Sequence, residues 1–333
     1  MTKIARPEDA QPPEEASQTG AVEIDPVMAV EPKRPLLQRI PNFGLLGWLG
    51  IAILTFWTFI AIFGPALAPY GESEIVDGSM AFSEFGEIGA FGLDYLGRDV
   101  LSRLMYGTRT TLGLALAATI IAFVVGGGLG IMVAIIGGQV ENITSRFIDA
   151  IVSFPAIMLA LVIISAIPTA DWRQDFGLFS VDITGSVLVL IALVITVGLI
   201  EGARVYRIAR ALAQDIMAMD FVEISLARGE SKMWVLWNEI MPNSLVPLST
   251  EFGLRFTYSI LLLSGLSFLG LGVQPPFADW GVMVRENTLG LTFAPHTVLL
   301  PAIAIYTVTL AVNFLVDWNV ARSNENISDE LVK

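Results

Sequence analysis

Beyond residue 41, long apolar stretches alternate with short polar segments along the chain. A helix of about 20 apolar residues is long enough to cross the roughly 30 Å hydrocarbon core of a membrane. Stretches of this kind occupy residues 45–65, 112–136, 147–167, 186–200, 248–271 and 298–316. The pattern therefore predicts an all-α polytopic membrane protein with six transmembrane helices.

The composition agrees with a location in a membrane. Of the 333 residues, 54% are hydrophobic and 15% are charged, whereas soluble domains carry about 25% charged residues. The net charge of −13 argues against nucleic acid as a partner. Because the chain has no cysteine and a single histidine, His296, we expect no metal site and no catalytic residue.

The polar segments indicate where the chain divides. Residues 1–41 are rich in Pro and Glu and hold few large apolar residues, so we expect a disordered cytoplasmic tail. The other expected parts are a first transmembrane helix at 42–66, an extracytoplasmic region at 67–110, a five-helix core at 111–318 with a cytoplasmic loop at 203–247, and a cytoplasmic tail at 319–333.

The positive residues predict which side of the membrane each loop faces. Lysine and arginine favour cytoplasmic loops near the ends of membrane spans. A cytoplasmic N-terminus places most of them inside, namely Lys33, Arg34, Arg39, Arg146, Arg204, Arg207, Arg210, Arg228 and Lys232. The exceptions outside are Arg98, Arg103 and Arg109, which lie beside acidic residues. Both termini are therefore expected in the cytoplasm.

Apolar residues recur at helical spacing within the polar segment 220–247. One series ends near Gly229, a residue type that can end a helix, and a second is stopped by Pro242. The two series are Phe221, Val222, Ser225 and Leu226, then Trp234, Leu236, Trp237, Ile240 and Met241. We expect two short amphipathic helices joined by a turn at 229–231. Their apolar faces need a cover, either the chain's own helix ends or a partner protein.

Another amphipathic segment is expected outside the membrane, at 97–108. Its apolar face consists of Val100, Leu101, Leu104 and Met105. Asp99 and Arg103 lie four residues apart, so they are expected to form an ion pair. Residues 94–109, together with residues 274–280, are expected to seal an outer gate or to contact an external partner. A folded cap without a direct contact is the alternative.

Charged residues within the expected spans are few. Glu251 and Arg255 lie one helical turn apart in the fifth span, and we interpret them as a possible intramembrane ion pair rather than a substrate contact. An ion-coupled transporter needs charged groups at mid-depth to bind or relay ions. The first, second, third and sixth spans show none, which disfavours an ion-coupled mechanism.

Glycines cluster at 126–130 and 137–138. A phosphate-binding loop needs a following Gly-Lys-Ser/Thr sequence, which is absent here. Small residues also let membrane helices approach closely, so we expect these glycines to pack helices. The Leu-Ser-Gly sequence at 263–265 lies within a span without any accompanying nucleotide motif. The chain is therefore not expected to hydrolyse ATP.

The spacing of the loop residues is similar to that of one protein family. Glu223, Gly229 and the sequence at 240–242 resemble the cytoplasmic EAA loop of binding-protein-dependent ABC transporter permeases. Four segments are similar to the second permease subunit of peptide/nickel-type importers: residues 97–112, 146–161, 266–281 and 301–322. The chain departs from the family at Ile224-Ser225, where Ala-Ala is usual, at Met241, where Leu is usual, at Leu263, where Glu is frequent, and at Glu251 and Arg255, where uncharged residues are expected.

The resemblance implies a type I ABC importer permease fold in the bacterial inner membrane. This chain would form half of the pore for peptides or a related small solute, such as a nickel chelate, an opine or an oligosaccharide. The implied partners are a homologous second permease subunit, two cytoplasmic ABC ATPase subunits that use ATP-Mg, an extracytoplasmic solute-binding protein and membrane lipid. The chain itself would be no enzyme and would bind no cofactor.

The resemblance also implies roles for single residues in the loop. Glu223 would cap the loop or pair with a basic group, Gly229 would allow the turn, and Pro242 would fix the entry into the fifth span. The expected ATPase contacts are Phe221, Leu226 and Arg228. The candidates for an extracytoplasmic gate or a binding-protein contact are Asp94, Gly97, Arg98, Asp99, Arg103 and Trp280. Two alternatives stay open: an ion-coupled secondary transporter that works without an ATPase, and a membrane scaffold or sensor without transport.

Overall fold

The computed structural model describes residues 44–76, 81–83, 86, 88–167, 172–175, 180–183 and 185–331. All of them belong to one compact unit, Phe43–Lys333. The expected tail at 1–41 lies outside the described residues. The expected division of the remaining chain into domains stays a prediction.

Helices form nearly all of the described chain. They are α1 (Gly44–Leu67), α2 (Val100–Ile121), α3 (Gly128–Ile136), α4 (Gly138–Ser153), α5 (Ala156–Ser165), α6 (Gly185–Met217), α7 (Asp220–Ala227), α8 (Lys232–Val235), α9 (Met241–Phe268), α10 (Trp280–Glu286) and α11 (His296–Leu331). π-helical turns at Ala122–Gly127 and Leu236–Ile240 join α2 to α3 and α8 to α9, and a short 3₁₀ helix spans Thr288–Thr292.

Two short strands form the exception, within a segment expected as a polar loop. Strand β1 (Trp172–Asp175) pairs antiparallel with β2 (Ser180–Ile183), with Trp172 opposite Ile183. The ribbon lies between α5 and α6 in the chain and contributes to neither. The predicted all-α class therefore holds for the helical core.

Four of the described helical segments are long and apolar enough to cross a membrane: Gly44–Leu67, Val100–Ile136, Gly185–Met217 and His296–Ala321. The bent pair α4 and α5 makes a fifth if it counts as one span. Helix α9, where the fifth span is expected, has 28 residues but is not among these segments, and it carries Glu251 and Arg255. The count of six spans therefore stays a prediction.

The third expected span, 147–167, is not one continuous helix. Helices α4 and α5 meet at an angle of 92°, and Phe154 between them has extended backbone angles, φ −81° and ψ 141°. Pro155 explains the break, because proline lacks an N–H group and disfavours helical angles in the residue before it. A span in this region therefore consists of two helices joined at a bend, and its crossing of the membrane stays a prediction.

Helix α6 passes at the centre of the bundle, and two glycines let its neighbours come close. A Cβ atom on Gly126 would overlap the carbonyl oxygen of Gly202, and one on Gly130 would overlap that of Tyr206. The packing interpretation is confirmed for these glycines. Gly137 and Gly138 differ, because their φ angles are +69° and +65° and a Cβ atom there would have open space. They make the turn between α3 and α4 instead.

Candidate functional site

Helices α7 and α8 are attached to the ends of α3 and α6 by a buried apolar cluster. Val222 and Ile240 are fully buried, and Val235 is nearly so. The other members of this cluster are Ile131, Ala134, Ile135, Ala209, Ala213, Ile216, Leu236 and Leu248. One face of the 220–247 segment is therefore covered by the chain itself, which fixes both short helices to the bundle.

The turn between the two helices has the geometry of a Schellman motif. Gly229 N–H donates to Leu226 O at 3.0 Å, and Glu230 N–H donates to Ser225 O at 3.2 Å. The φ angle of Gly229 is +90°, a region that favours glycine. Ser231 then caps α8, accepting from Trp234 N–H at 3.2 Å. The prediction of two helices with a turn at 229–231 is confirmed.

Four other apolar side chains of this segment are exposed. Phe221 and Leu226, expected from the sequence, are 37% and 43% exposed. Ile224 and Trp237 are 57% and 60% exposed and belong to the same segment. Sequence reasoning treated Ile224 only as a departure from the family, although its three-residue spacing from Phe221 could have placed the two on one face. We call Phe221, Ile224, Leu226 and Trp237 the apolar docking face.

Ser225 connects α7 to the π-helical turn before α9. Its hydroxyl donates to Glu239 Oε1 at 3.2 Å and accepts from Arg228 Nη2 at 3.3 Å. Glu223, in contrast, is exposed and forms no hydrogen bond or ion pair through its side chain in the described chain. The expected pairing of Glu223 with a basic group of this chain is therefore absent, and the neighbouring Ser225 makes the connection.

The sequence suggested that Pro242 stops the second short helix, but the structure shows that it does not. The helix continues from Lys232 through the π-helical turn into α9. Within that turn Met241 N–H donates to Leu236 O, five residues earlier. The wider turn accommodates a proline, which has no N–H group to donate. At the start of α8, Lys232 Nζ donates to Ile135 O at 3.2 Å, at the negative end of the α3 dipole.

At the other end of the bundle, four charged side chains form a buried cluster. Arg98 Nε lies 2.7 Å from Asp94 Oδ2, and Arg98 Nη2 lies 2.8 Å from Glu286 Oε2. Arg103 Nη2 lies 3.0 Å from the same Glu286 oxygen. Glu286 was not found from the sequence, because it lies 183 residues after Arg103. The cluster ties the start of α2 to the end of α10.

The expected ion pair between Asp99 and Arg103 is not formed. Asp99 instead caps α2, accepting from Ser102 N at 2.7 Å and from Ser102 Oγ at 2.6 Å. The amphipathic segment around it is the first part of α2 rather than a separate helix. Gly97, with φ +80°, makes the turn before this cap. The i,i+4 spacing predicted the wrong partner, because the Asp99 carboxylate accepts hydrogen bonds as the N-cap of α2 instead.

Trp280 lies in the region expected outside the membrane and is fully buried. Its backbone N–H donates to Thr111 Oγ1 at 3.1 Å, and its indole Nε1 donates to Leu104 O at 3.3 Å. Its ring packs edge-on against Trp57, with 5.0 Å between centroids. Asp279, the residue before it, caps α10 by accepting from Val282 N at 2.7 Å. Burial raises the pKa of Asp279 to about 6.

These external candidates are therefore internal contacts of one folded cap. Asp94, Arg98, Asp99, Arg103 and Trp280 are all nearly or completely buried. Buried side chains hold the start of α2 against α10, and they present no surface to a second protein in this conformation. This burial argues against a direct contact of these side chains with a second protein, and the role of the region as an outer gate stays a prediction.

A second group of charges lies between α6 and α9. Arg255 Nε lies 2.5 Å from Glu251 Oε1, and Arg255 Nη1 lies 3.2 Å from Glu201 Oε2. Arg204 forms an ion pair with the other oxygen of Glu201. Sequence reasoning placed the end of the fourth span at residue 200, so it missed Glu201. Helix α6 continues to Met217, which brings Glu201 and Arg204 onto the helix that faces Arg255.

Comparisons with known proteins identify the family of the chain. Residues 126–325 match the family described as binding-protein-dependent transport system inner membrane component. The chain is 32% identical over 275 residues to the peptide transport system permease protein SapC of Haemophilus influenzae, which covers 79% of this chain and 87% of that protein. It is 30% identical over 314 residues to the dipeptide transport system permease protein DppC of Alkalihalophilus pseudofirmus, covering 94% and 93%. It is 28% identical over 258 residues to the glutathione transport system permease protein GsiD of Pectobacterium atrosepticum, covering 78% and 79%.

Proposed function

Because the chain belongs to the family of binding-protein-dependent transport system inner membrane components, we propose that it forms half of the solute pathway of an ATP-driven importer. A homologous second permease subunit would form the other half, and two cytoplasmic ATPase subunits would bind and hydrolyse ATP-Mg. An extracytoplasmic solute-binding protein would deliver the solute. We also propose that both termini of the chain lie in the cytoplasm and that the chain itself binds no cofactor.

The apolar docking face is the observation that carries this proposal. It exposes Phe221, Ile224, Leu226 and Trp237 on a segment that other side chains fix to the bundle. Exposed apolar groups held on a fixed scaffold are typical of a protein-binding surface. A groove in the ATPase that receives α7 would cover them. Charged Arg228, exposed beside the face, would lie at the rim of the contact.

The connection from this face to the membrane helices supports a mechanical role. Helices α8 and α9 are continuous through the π-helical turn, and α9 reaches from this loop to the external region at Phe268. A displacement of α7 and α8 by the ATPase would therefore move α9 as well. Rigid elements that move together in this way are a common basis for switching between two conformations.

The relatives suggest the kind of solute. Their names describe transport of peptides, dipeptides and glutathione. We propose short peptides or peptide-like molecules as the solutes of this chain. An ion-coupled transporter working alone has less support, because the carboxylates of Glu201 and Glu251 are both held by arginine.

Purification of the complex tests the coupling surface. The permease pair, expressed with its ATPase subunits, is purified with wild-type chain or with Ile224→Glu, which places a charge in the docking face. We expect the variant to lose most of the ATPase during purification and most of the ATP-driven uptake in proteoliposomes. Leu289→Glu is the matched control, because Leu289 is 81% exposed but lies beyond α10. Full ATPase retention and uptake with Ile224→Glu would contradict the proposal.

A further inference from the structure

The four charged side chains between α6 and α9 alternate in sign. In order they are Arg204, Glu201, Arg255 and Glu251, each in contact with the next. Glu201 is almost completely buried, at 1% exposure, and both of its oxygens are taken by arginines. The Glu201 carboxylate therefore fixes the positions of the guanidinium groups of Arg204 and Arg255.

The outer side of this chain of charges faces a cavity of about 540 Å³. The cavity is lined by Ala156, Ile157, Glu201, Arg204, Arg255, Tyr258, Leu261 and Leu262. The guanidinium of Arg255 lies 5.0 Å from the centre of the Tyr258 ring, which fixes its plane. Polar and apolar side chains therefore both line the cavity.

Several hydrogen-bond donors at this wall have no acceptor in the described chain. Arg255 uses Nε and Nη1 for Glu251 and Glu201, and its Nη2 makes no hydrogen bond. Arg204 uses only Nη1, and the Tyr258 hydroxyl makes no hydrogen bond to another residue of the described chain. None of these groups is sealed from solvent. They are therefore free to bind an acceptor that enters the cavity.

We propose that this cavity is a transit site for the carboxylate group of a solute. The free guanidinium N–H groups of Arg204 and Arg255 and the Tyr258 hydroxyl would donate to the carboxylate oxygens, a geometry that arginine favours. Ile157, Leu261 and Leu262 would contact an apolar part of the same molecule. This inference rests on the proposed function and makes it more specific, since it names the group that the chain recognises.

The two glutamates make the site suited to weak, transient binding of a solute rather than to tight binding. Each guanidinium already has a carboxylate partner, so the cluster carries no net charge and attracts an anion only moderately. A pathway needs binding that is strong enough for entry and weak enough for release. Charged groups inside membrane proteins are costly to bury, and here Arg204 and Arg255 keep donors open to the cavity.

Thiol labelling tests the site and requires no particular solute. The chain has no cysteine, so Leu261→Cys places a single thiol of this chain at the cavity wall. In the purified complex, this thiol reacts with two methanethiosulfonate reagents of similar size, one with a sulfonate and one with an ammonium group. The rate with the sulfonate reagent is divided by the rate with the ammonium reagent. This ratio is then divided by the same ratio measured for a small free thiol in the same buffer.

We expect this corrected ratio to favour the sulfonate by about threefold or more, as nearby guanidinium charge would produce. Adding Arg204→Gln should remove most of the preference. Arg207→Gln is the matched control, because Arg207 is exposed on the same helix and pairs with Asp149 away from the cavity. No preference, a preference for the ammonium reagent, or no reaction with either reagent would overturn the proposal. So would an unchanged ratio with Arg204→Gln.

The dipeptide Ala-Ala and its C-terminal amide then separate recognition of a carboxylate from general access. The free acid should slow labelling of Leu261→Cys by the sulfonate reagent more than the amide does, and Tyr258→Phe should reduce this difference. Equal effects of acid and amide would contradict carboxylate recognition. ATP-driven uptake by the same preparations reports on the proposed function separately, because uptake can persist when the labelling preference is absent.

Discussion

The Ser225 hydroxyl on α7 donates a hydrogen bond of 3.2 Å to Glu239 Oε1 on the turn that leads into α9. This bond joins the helix with the apolar docking face to the helix that carries the inner charges. The family resemblance suggested an alanine at this place. The serine therefore adds a polar connection at a point where force would pass from the loop to the membrane helices.

Replacing Ser225 with Ala should weaken this connection. A hydrogen bond to a charged group contributes about 1.5–3 kcal/mol, and about 1.4 kcal/mol corresponds to a tenfold change in an equilibrium. We expect ATP-driven uptake to fall by about tenfold or more while the ATPase still co-purifies. Ser153→Ala is the control, because the Ser153 hydroxyl bonds only within its own helix. Unchanged uptake with Ser225→Ala would show that the bond carries no coupling.

Gly229→Val should disrupt the turn between α7 and α8. A φ angle of +90° is unfavourable for residues with a Cβ, by about 1–2 kcal/mol, and more so for a β-branched side chain. We expect loss of ATPase binding and of uptake. Gly229→Asn should retain most of both, since asparagine tolerates positive φ. Equal effects of the two substitutions, measured by co-purification, would show that the backbone conformation is not the cause.

Glu286→Gln should destabilise the cap formed by the start of α2 and the end of α10. The change leaves Arg98 and Arg103 with Asp94 as their remaining acid in the buried cluster. Breaking a buried ion pair costs about 3–5 kcal/mol, so the Tm of the purified permease pair should fall clearly. Asp149→Asn removes an exposed pair with Arg207 and should cost at most about 1 kcal/mol. Similar Tm values for both variants would contradict a stabilising role of the buried cluster.

Asp279 should make the stability of the cap depend on pH. Its pKa is about 6 in the folded chain against an ordinary value of 3.8, so the folded state binds the proton more tightly. The free energy of unfolding should therefore fall as pH rises from about 4 to about 6 and stay constant above. Asp279→Asn keeps a capping oxygen and removes this ionisation. The Tm difference between variant and wild type should therefore grow in favour of the variant from about pH 4.5 to about pH 7.

If the Tm difference is the same at both pH values, the ionisation of Asp279 does not affect stability. The full shift corresponds to about 3 kcal/mol, which is the largest effect expected.

Local sequence patterns were sufficient for part of this architecture. The turn at Gly229 follows from a residue type and a spacing, and both lie within a few residues of each other. Glu286 could not be found in this way, because its partner Arg98 lies 188 residues earlier and only the folded chain brings them together. Glu201 was missed for another reason. The apolar stretch ends near residue 200, but the backbone hydrogen bonds of the helix continue to Met217.

The bend at Pro155 also bears on the distance that a charged group of a solute must cross within the hydrocarbon. Helix α5 has 10 residues and so rises about 15 Å, half of the roughly 30 Å hydrocarbon thickness. Its first turn, at Ala156 and Ile157, borders the cavity that contains Arg204 and Arg255. On the proposed pathway, a broken helix beside this cavity would shorten the low-dielectric barrier for a polar solute, because part of the crossing would take place beside fixed charges instead of hydrocarbon.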